Sequence, residues 1–279
     1  MAEPEDSQSA AAWWESAITE IAPGSIRVRG YAIEDLIGRI SFPAMIWLTL
    51  RGELPTPRQA DLLGAVLVAG VDHGPQAPSI AIARMAITCG IGLNSAIASG
   101  VNVLGDVHGG AGQQCMELLS QIDAQCRGGA AMDSAVAEAL AVWRRQHGRF
   151  IPGFGHRFHG NDPRAERISV LMREAVADGV IEGRFVALGE AVRAELARGK
   201  TSPPAMNIDG AAAVLLLELG FACELGRGVF VLSRSVGICA HAFEQLQRGE
   251  RIKGPIPPEI GFQFSGVASR KLPDGENLP

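Results

Sequence analysis

Residues 207–220 read Asn-Ile-Asp-Gly-Ala-Ala-Ala-Val-Leu-Leu-Leu-Glu-Leu-Gly. From Asp209 to Leu219 the run is almost wholly apolar after its first residues, and Gly220 supplies a stop. Such a run predicts a helix buried on all sides, with its N-terminus near Asp209. A carboxylate at that point has two readings. It is an N-cap holding the first helical N–H groups, or it is a general base in a dry pocket. Partial burial would keep such a base strong enough to take a proton from carbon.

Outward from this run, helical patterns continue in both directions. Gly228 to Gln247 starts apolar and ends at Gly249, predicting a second helix with Arg234 inside VFVLSRSVGI. A buried arginine needs a carboxylate partner, which is either structural or part of a substrate. Upstream, Ile168, Leu171, Met172 and Val176 form a helical stripe that Gly179 closes. Asp133 is expected to cap a helix carrying Val136, Leu140 and Trp143. The run Leu62 to Val71 fits a core helix. Only Ser25 to Ile33 alternates apolar and basic residues, around Gly30, which predicts a short hairpin. The pattern is all-α with a minor β element.

Bulk properties agree with a large core. The 279 residues are 47% apolar with only 5% aromatic, so Ala, Val, Leu and Ile must fill it. A formal charge of −5 gives no reason to expect nucleic acid, and any anionic ligand must be held by a few placed arginines and lysines. The five cysteines, Cys89, Cys115, Cys126, Cys223 and Cys239, contain no CxxC pair and read as reduced, mostly buried residues of a cytoplasmic protein. Residues 1–12 read as a loose polar arm without signal-peptide character. No segment approaches a membrane span.

Pro and Gly cluster at Gly74 to Pro78, Ile151 to Pro163 and Ser202 to Gly210, and each cluster contains or abuts an ionisable residue. Loops joining buried helices are where chemistry concentrates. Of six histidines, three have the better surroundings: His73 in DHGP, His108 in GDVHGGA and His156 in IPGFGHR. A lone histidine is as a rule structural. A metal site is not expected, since HExxH and CxxC spacings are missing and the glycines around His156 and His159 argue against a helix. Gly153-Phe154-Gly155 is only part of a dinucleotide fingerprint. Its backbone groups, unblocked by side chains and close to Arg157 and Arg164, suit the adenine and phosphates of a nucleotide-like cofactor.

The ordered series is more specific than any one motif. DHGP (72–75), GDVHGGAGQQ (105–114), PGFGHRFHGNDPRAER (152–167), NIDGAAA (207–213) and SRSVGICAHAFEQ (233–245) together resemble the citrate synthase superfamily. The stretch at 29–56 looks like that family's opening, so the resemblance runs from about Gly30 to Pro255. It implies a large helical domain with a small one: an arm and first helix over 1–24, large domain over 25–144, a small CoA-binding domain over 145–215, and the large domain's C-terminal part and tail over 216–279. It assigns His108 to the thioester oxygen and enolate, Asp209 to the proton on the acetyl carbon and His156 to the proton on the oxo-acid oxygen. His73, Arg164 and Arg234 would bind oxaloacetate carboxylates. Ile151, Pro152, Gly153, Phe154 and Gly155, with Arg157, would meet coenzyme A, which enters as part of the substrate.

DHGP, NIDG and the short chain are similar to the citryl-CoA lyase branch. Gly254-Pro255 stands where a synthase supplies Arg-Pro to the neighbouring subunit, with Lys253 as a substitute. The resemblance therefore implies cleavage of citryl-CoA to acetyl-CoA and oxaloacetate. The alternatives are a short citrate or 2-methylcitrate synthase, a citramalyl- or malyl-type acyl-CoA substrate, and a CoA-binding paralogue without turnover. It also implies a homodimer or higher homo-oligomer, with small-molecule partners and neither nucleic acid nor membrane.

Overall fold

The computed structural model describes residues 12–155 and 162–271. A small antiparallel sheet comes first: β1 (Thr19–Ala22), β2 (Ser25–Val28) and β3 (Tyr31–Ala32), in the order β1-β2-β3. The expected hairpin is β2–β3. Arg29 and Gly30 both take positive φ, 50° and 86°, in a two-residue turn closed by the Val28–Tyr31 pair. That is the backbone twist a tight hairpin prefers. β1 is an addition to the sequence expectation. It pairs Ile21 with Ile26 and is too short to read by alternation.

Helices then dominate: α1 (Ile33–Leu36), α2 (Phe42–Arg51), α3 (Pro57–Gly70), α4 (Pro78–Thr88), α5 (Leu93–Asn102), α6 (Ala111–Arg127), α7 (Met132–His147), α8 (Pro163–Ala177), α9 (Arg184–Ala197), α10 (Ile208–Glu218) and α11 (Cys223–Arg248). Several starts are legible locally. Ser41 accepts from Ala44 N, and Thr56 with Gln59 forms a capping box before Pro57. α7 departs from expectation: its N-cap is Ala131, and Asp133 lies within the first turn rather than at the cap.

The main core joins α3, α6, α7, α8, α9 and α10 through Leu63, Met116, Leu119, Leu140, Ile168, Leu188 and Leu215. α10 is buried along most of its length, as its uniformly apolar run predicts. A second, smaller cluster joins α4, α5 and the C-terminal half of α11 through Ala77, Ile80, Ala83, Ile87, Ala96, Leu104, Ile238 and Ala242. α11, roughly 39 Å long at 1.5 Å per residue, spans both, with Val229 in the main core and Ile238 in the small cluster.

Among the described residues no helix is long and apolar enough to cross a membrane. All five cysteines are free, but only Cys115 is buried; Cys89 is exposed and the rest are partly covered. The expectation of mostly buried thiols is corrected accordingly. Small thiols here sit at helix edges as well as inside.

Candidate active site

A cleft of about 840 Å³ opens between the two apolar clusters. Val66, Ala213, Leu216 and Val229 line it from the main core; Ala77 and Phe230 line it from the smaller one. Five residues singled out in the sequence meet there: His73, His108, Arg164, Asp209 and Arg234. His156 and Arg157 lie outside the described residues.

His108 sits in the turn between α5 and α6. Gly109 follows with φ 98°, and a Cβ there would press on Phe230 and Leu104 at 3.0 and 3.2 Å. A glycine is needed for both the backbone angle and the packing. The imidazole Nε2 accepts from Ser79 N at 3.2 Å and lies 3.1 Å from Ser79 Oγ. Ser79 is the second residue of α4, behind Pro78, so its N–H is one that the helix itself leaves without a partner. Because an N–H can only donate, Nε2 must carry a lone pair, and a neutral His108 holds its proton on Nδ1. Burial, and then the charge of Arg234, push its pKa below the ordinary imidazole value. The result is a neutral ring whose Nδ1–H can donate to a carbonyl oxygen.

Asp209 is the second residue of α10, and Asn207 is the N-cap, accepting from Gly210 N at 3.1 Å. The cap reading of Asp209 is therefore excluded by its position. It is partly buried, and its charge, after burial itself, raises the pKa of the buried Cys115 thiol far above normal. Cys115 is thus a buried, protonated thiol behind the cleft lining rather than a nucleophile.

The two arginines are held differently. Arg234 is 5% exposed, donates Nε to the carbonyl of Gly70 at 2.9 Å and stacks over the Phe230 ring. Burial, first, lowers its pKa; Asp72 and Asp209 pull upward and Arg164 downward. Arg164 instead meets a carboxylate, Asp162, through Nε at 3.0 Å and Nη2 at 2.9 Å. His73 lies in the loop shaped by Asp72, whose Oδ2 accepts from Gly74 N and faces His241 Nε2 at 3.3 Å.

Residues 151–155 do not line the cleft. Ile151, Pro152, Gly153 and Phe154 are buried, and the backbone is largely occupied: Phe154 N donates to Ile151 O, Gly155 N to Ala205 O, and Asn207 N to Gly153 O. Asn207 Nδ2 also donates to Gly155 O at 2.7 Å. The expectation of unblocked backbone groups does not hold for these atoms, because a local turn and the facing segment 205–207, bridged at Phe154–Met206, take them. Gly153 and Gly210 touch so closely that a Cβ on Gly210 would stand 2.3 Å from Gly153 O. In this structure the segment is a floor that sets the start of α10. Lys253 lies by Thr88, at the end of α4 opposite the cleft, and pairs with Glu250.

Sequence reading passed over Ser79, Asp162 and His241. Pro78 before Ser79 and Pro163 after Asp162 mark helix starts, a local signal that was available for the first two. Nothing local marks His241, whose partner is 169 residues away. Among the described residues no three His, Cys, Asp or Glu side chains gather as a metal site.

The profile of the citrate synthase C-terminal domain matches residues 55–255. Citrate synthase of Acidithiobacillus ferridurans is 28% identical over 231 residues, covering 80% of this chain and 56% of that protein. Citrate synthase of Haloferax volcanii is 29% identical over 208 residues, covering 73% and 51%. The chain thus spans about half the length of the curated relatives it matches. The structure of citryl-CoA lyase from Hydrogenobacter thermophilus is 33% identical with a TM-score of 0.82, covering 93% of this chain and 97% of that one. ATP citrate lyase from Methanothrix soehngenii, solved with citrate and coenzyme A, shares the fold at 21% identity and a TM-score of 0.77, over 95% of this chain and 45% of that one. With a profile match over most of its length and the family's ordered residues converging on one cleft, the chain belongs to the citrate synthase family.

Proposed function

We propose that this chain cleaves citryl-CoA to acetyl-CoA and oxaloacetate. The observation that carries this reading is the end-to-end match to a citryl-CoA lyase, in which each chain covers nearly the whole of the other. The longer synthases it matches share only about half their length with it.

The chemistry is a retro-aldol cleavage. His156 takes the proton of the C3 hydroxyl as the C3–O bond becomes a carbonyl and the C2–C3 bond breaks. The electron pair passes into the thioester as an enolate, whose oxygen accepts from His108 Nδ1–H. Asp209, protonated, returns a proton to the acetyl carbon, so no water is consumed. A fixed donor at a developing oxyanion is worth a few kcal/mol, about 100-fold or more in rate. A neutral donor suits this task, and the lowered pKa of His108 supports it. His73, Arg164 and Arg234 meet the carboxylates. Coenzyme A enters only as part of the substrate, and Ile151–Gly155 with Arg157 is the segment assigned to its adenine by the family resemblance.

The second reading is a short citrate or 2-methylcitrate synthase, favoured by the names of the curated relatives. It runs the carbon–carbon step in reverse and adds thioester hydrolysis. Incubation with citryl-CoA, with oxaloacetate followed by malate dehydrogenase coupling, separates the two. Oxaloacetate release is expected. Folded protein that binds CoA but releases none would refute the lyase reading, and thiol release from acetyl-CoA plus oxaloacetate would install the synthase.

A homodimer is part of the proposal. Leu232, Val236, Phe243 and Leu246 lie exposed along α11 at spacings of four, seven and three, one continuous apolar stripe. A second copy of the same stripe is the self-complementary surface a two-fold interface requires.

A further inference from the structure

Asp162 does more than cap α8. It is 3% exposed and accepts four hydrogen bonds. Oδ1 takes Arg164 N at 3.1 Å and Arg164 Nε at 3.0 Å; Oδ2 takes Arg164 Nη2 at 2.9 Å and Ile208 N at 3.2 Å. A cap needs only the first of these. The next two grip the guanidinium along one edge. A guanidinium carries five N–H donors, so its remaining donors, on Nη1 and the outer side of Nη2, keep the paired geometry that matches a carboxylate. Arg164 lines the cleft, where those donors would be used. The fourth bond reaches across the chain to the first residue of α10, immediately before Asp209.

We infer that Asp162 is a positioning residue whose single carboxylate sets both the presentation of Arg164 to a substrate carboxylate and the placement of Asp209 at the reacting carbon. The inference rests on the proposed function for the roles of Arg164 and Asp209. Burial opposes the charge on Asp162, but the hydrogen bonds and charge of Arg164 and the N–H groups of Arg164 and Ile208 outweigh it and hold the carboxyl at about 2. The grip therefore persists throughout neutral and mildly acidic conditions. Among the described residues, Arg234 donates to one backbone carbonyl, that of Gly70, rather than to a carboxylate.

The test compares Asp162→Asn, Arg164→Gln and the double variant by oxaloacetate calorimetry and by citryl-CoA turnover, with thermal unfolding alongside. Losing hydrogen bonds to a charged group should weaken oxaloacetate binding about tenfold and lower kcat by a similar factor in Asp162→Asn. In the Arg164→Gln background the binding effect should vanish while the kcat effect remains. Additive binding losses, or a lowered Tm with unchanged affinity and kcat, would overturn the inference and leave an ordinary cap. Should Asp162→Asn not fold, Asp162→Glu serves. It keeps a charge for Arg164 but displaces the acceptor from Ile208 N, so kcat should fall more than affinity, and wild-type values for both would overturn the inference. A wild-type protein that binds oxaloacetate without cleaving citryl-CoA defeats the functional reading alone, because the binding arm still reads Asp162 through Arg164.

Discussion

The two apolar clusters that flank the cleft are built from different side chains. The main core is filled by Trp47, Leu63, Met116, Leu119, Phe185 and Leu215, whereas half of the smaller cluster's buried members are alanines: Ala77, Ala83, Ala96 and Ala242. Small side chains bring α4, α5 and α11 close together but remove little apolar surface from water. The residues proposed to react or bind divide along the same seam. Asp209 and Arg164 rise from helices of the main core. His108 is braced by α4 through Ser79, and Arg234 and His73 belong to α11 and the loop before α4. The side proposed to hold the oxyanion thus stands on the thinner cluster, and α11, which supplies Ile238 and Ala242 to that cluster, also carries the exposed stripe. The difference teaches that one wall of the site rests on a core of large side chains, whereas the other rests on small ones and adjoins the exposed stripe on which the proposed second copy would dock.

Four measurements sharpen or break this comparison. Asp209→Asn removes the proton carrier without altering the packed core, so turnover should fall about 10³-fold, within the usual range for acid–base groups, with CoA affinity changed no more than severalfold. Near-normal turnover would defeat the assignment. Next, the same truncation on the two sides, Leu119→Ala and Leu104→Ala, should differ. Leu119 is wholly buried in the main core and should lie near the top of the roughly 2–5 kcal/mol range, and Leu104, at 7% exposure in the smaller cluster, nearer the bottom. Urea denaturation reads both, and equal costs would remove the contrast in packing.

His108→Gln should lower kcat about 100-fold, the usual loss for one oxyanion donor. The native His108 also carries a pH signature. Its folded pKa is depressed below the unfolded value, so its contribution to stability is present above the ordinary imidazole range and lost as pH falls through the folded pKa. The Tm of the native protein should therefore drop more steeply than that of His108→Gln as pH falls below about 6.5, and parallel curves would refute the shift. Phe243→Glu places a charge on the exposed stripe. Light scattering should show monomers, with activity reduced severalfold and Tm little changed by comparison with the core variants. Unaltered mass would remove the second copy from the account.

Much of the fold was legible locally. The unbroken apolar run after Asp209, the glycine stops at Gly220 and Gly249 and the Arg29-Gly30 turn all express interactions between residues a few positions apart. The same short reach explains the misses. β1 has four residues and too little pattern, and Asp133 is a good cap residue placed two positions past a cap. In the site, the ordered motifs identified His73, His108, Arg164, Asp209 and Arg234, and the cleft holds all five.

What the sequence determined by itself is the type and order of most helices and which residues are candidates for chemistry, since propensity, periodicity and motif spacing are written along one chain. Only the tertiary structure decided how those residues are held. Ser79 N fixes the protonated nitrogen of His108 across 29 residues, Asp162 joins Arg164 to the start of α10 across 46, and residues 205–207 occupy the backbone of 153–155 that looked free. Hydrogen-bond partners are chosen by proximity in space, and packing of the two clusters is what brings these distant segments within 3 Å or so of one another.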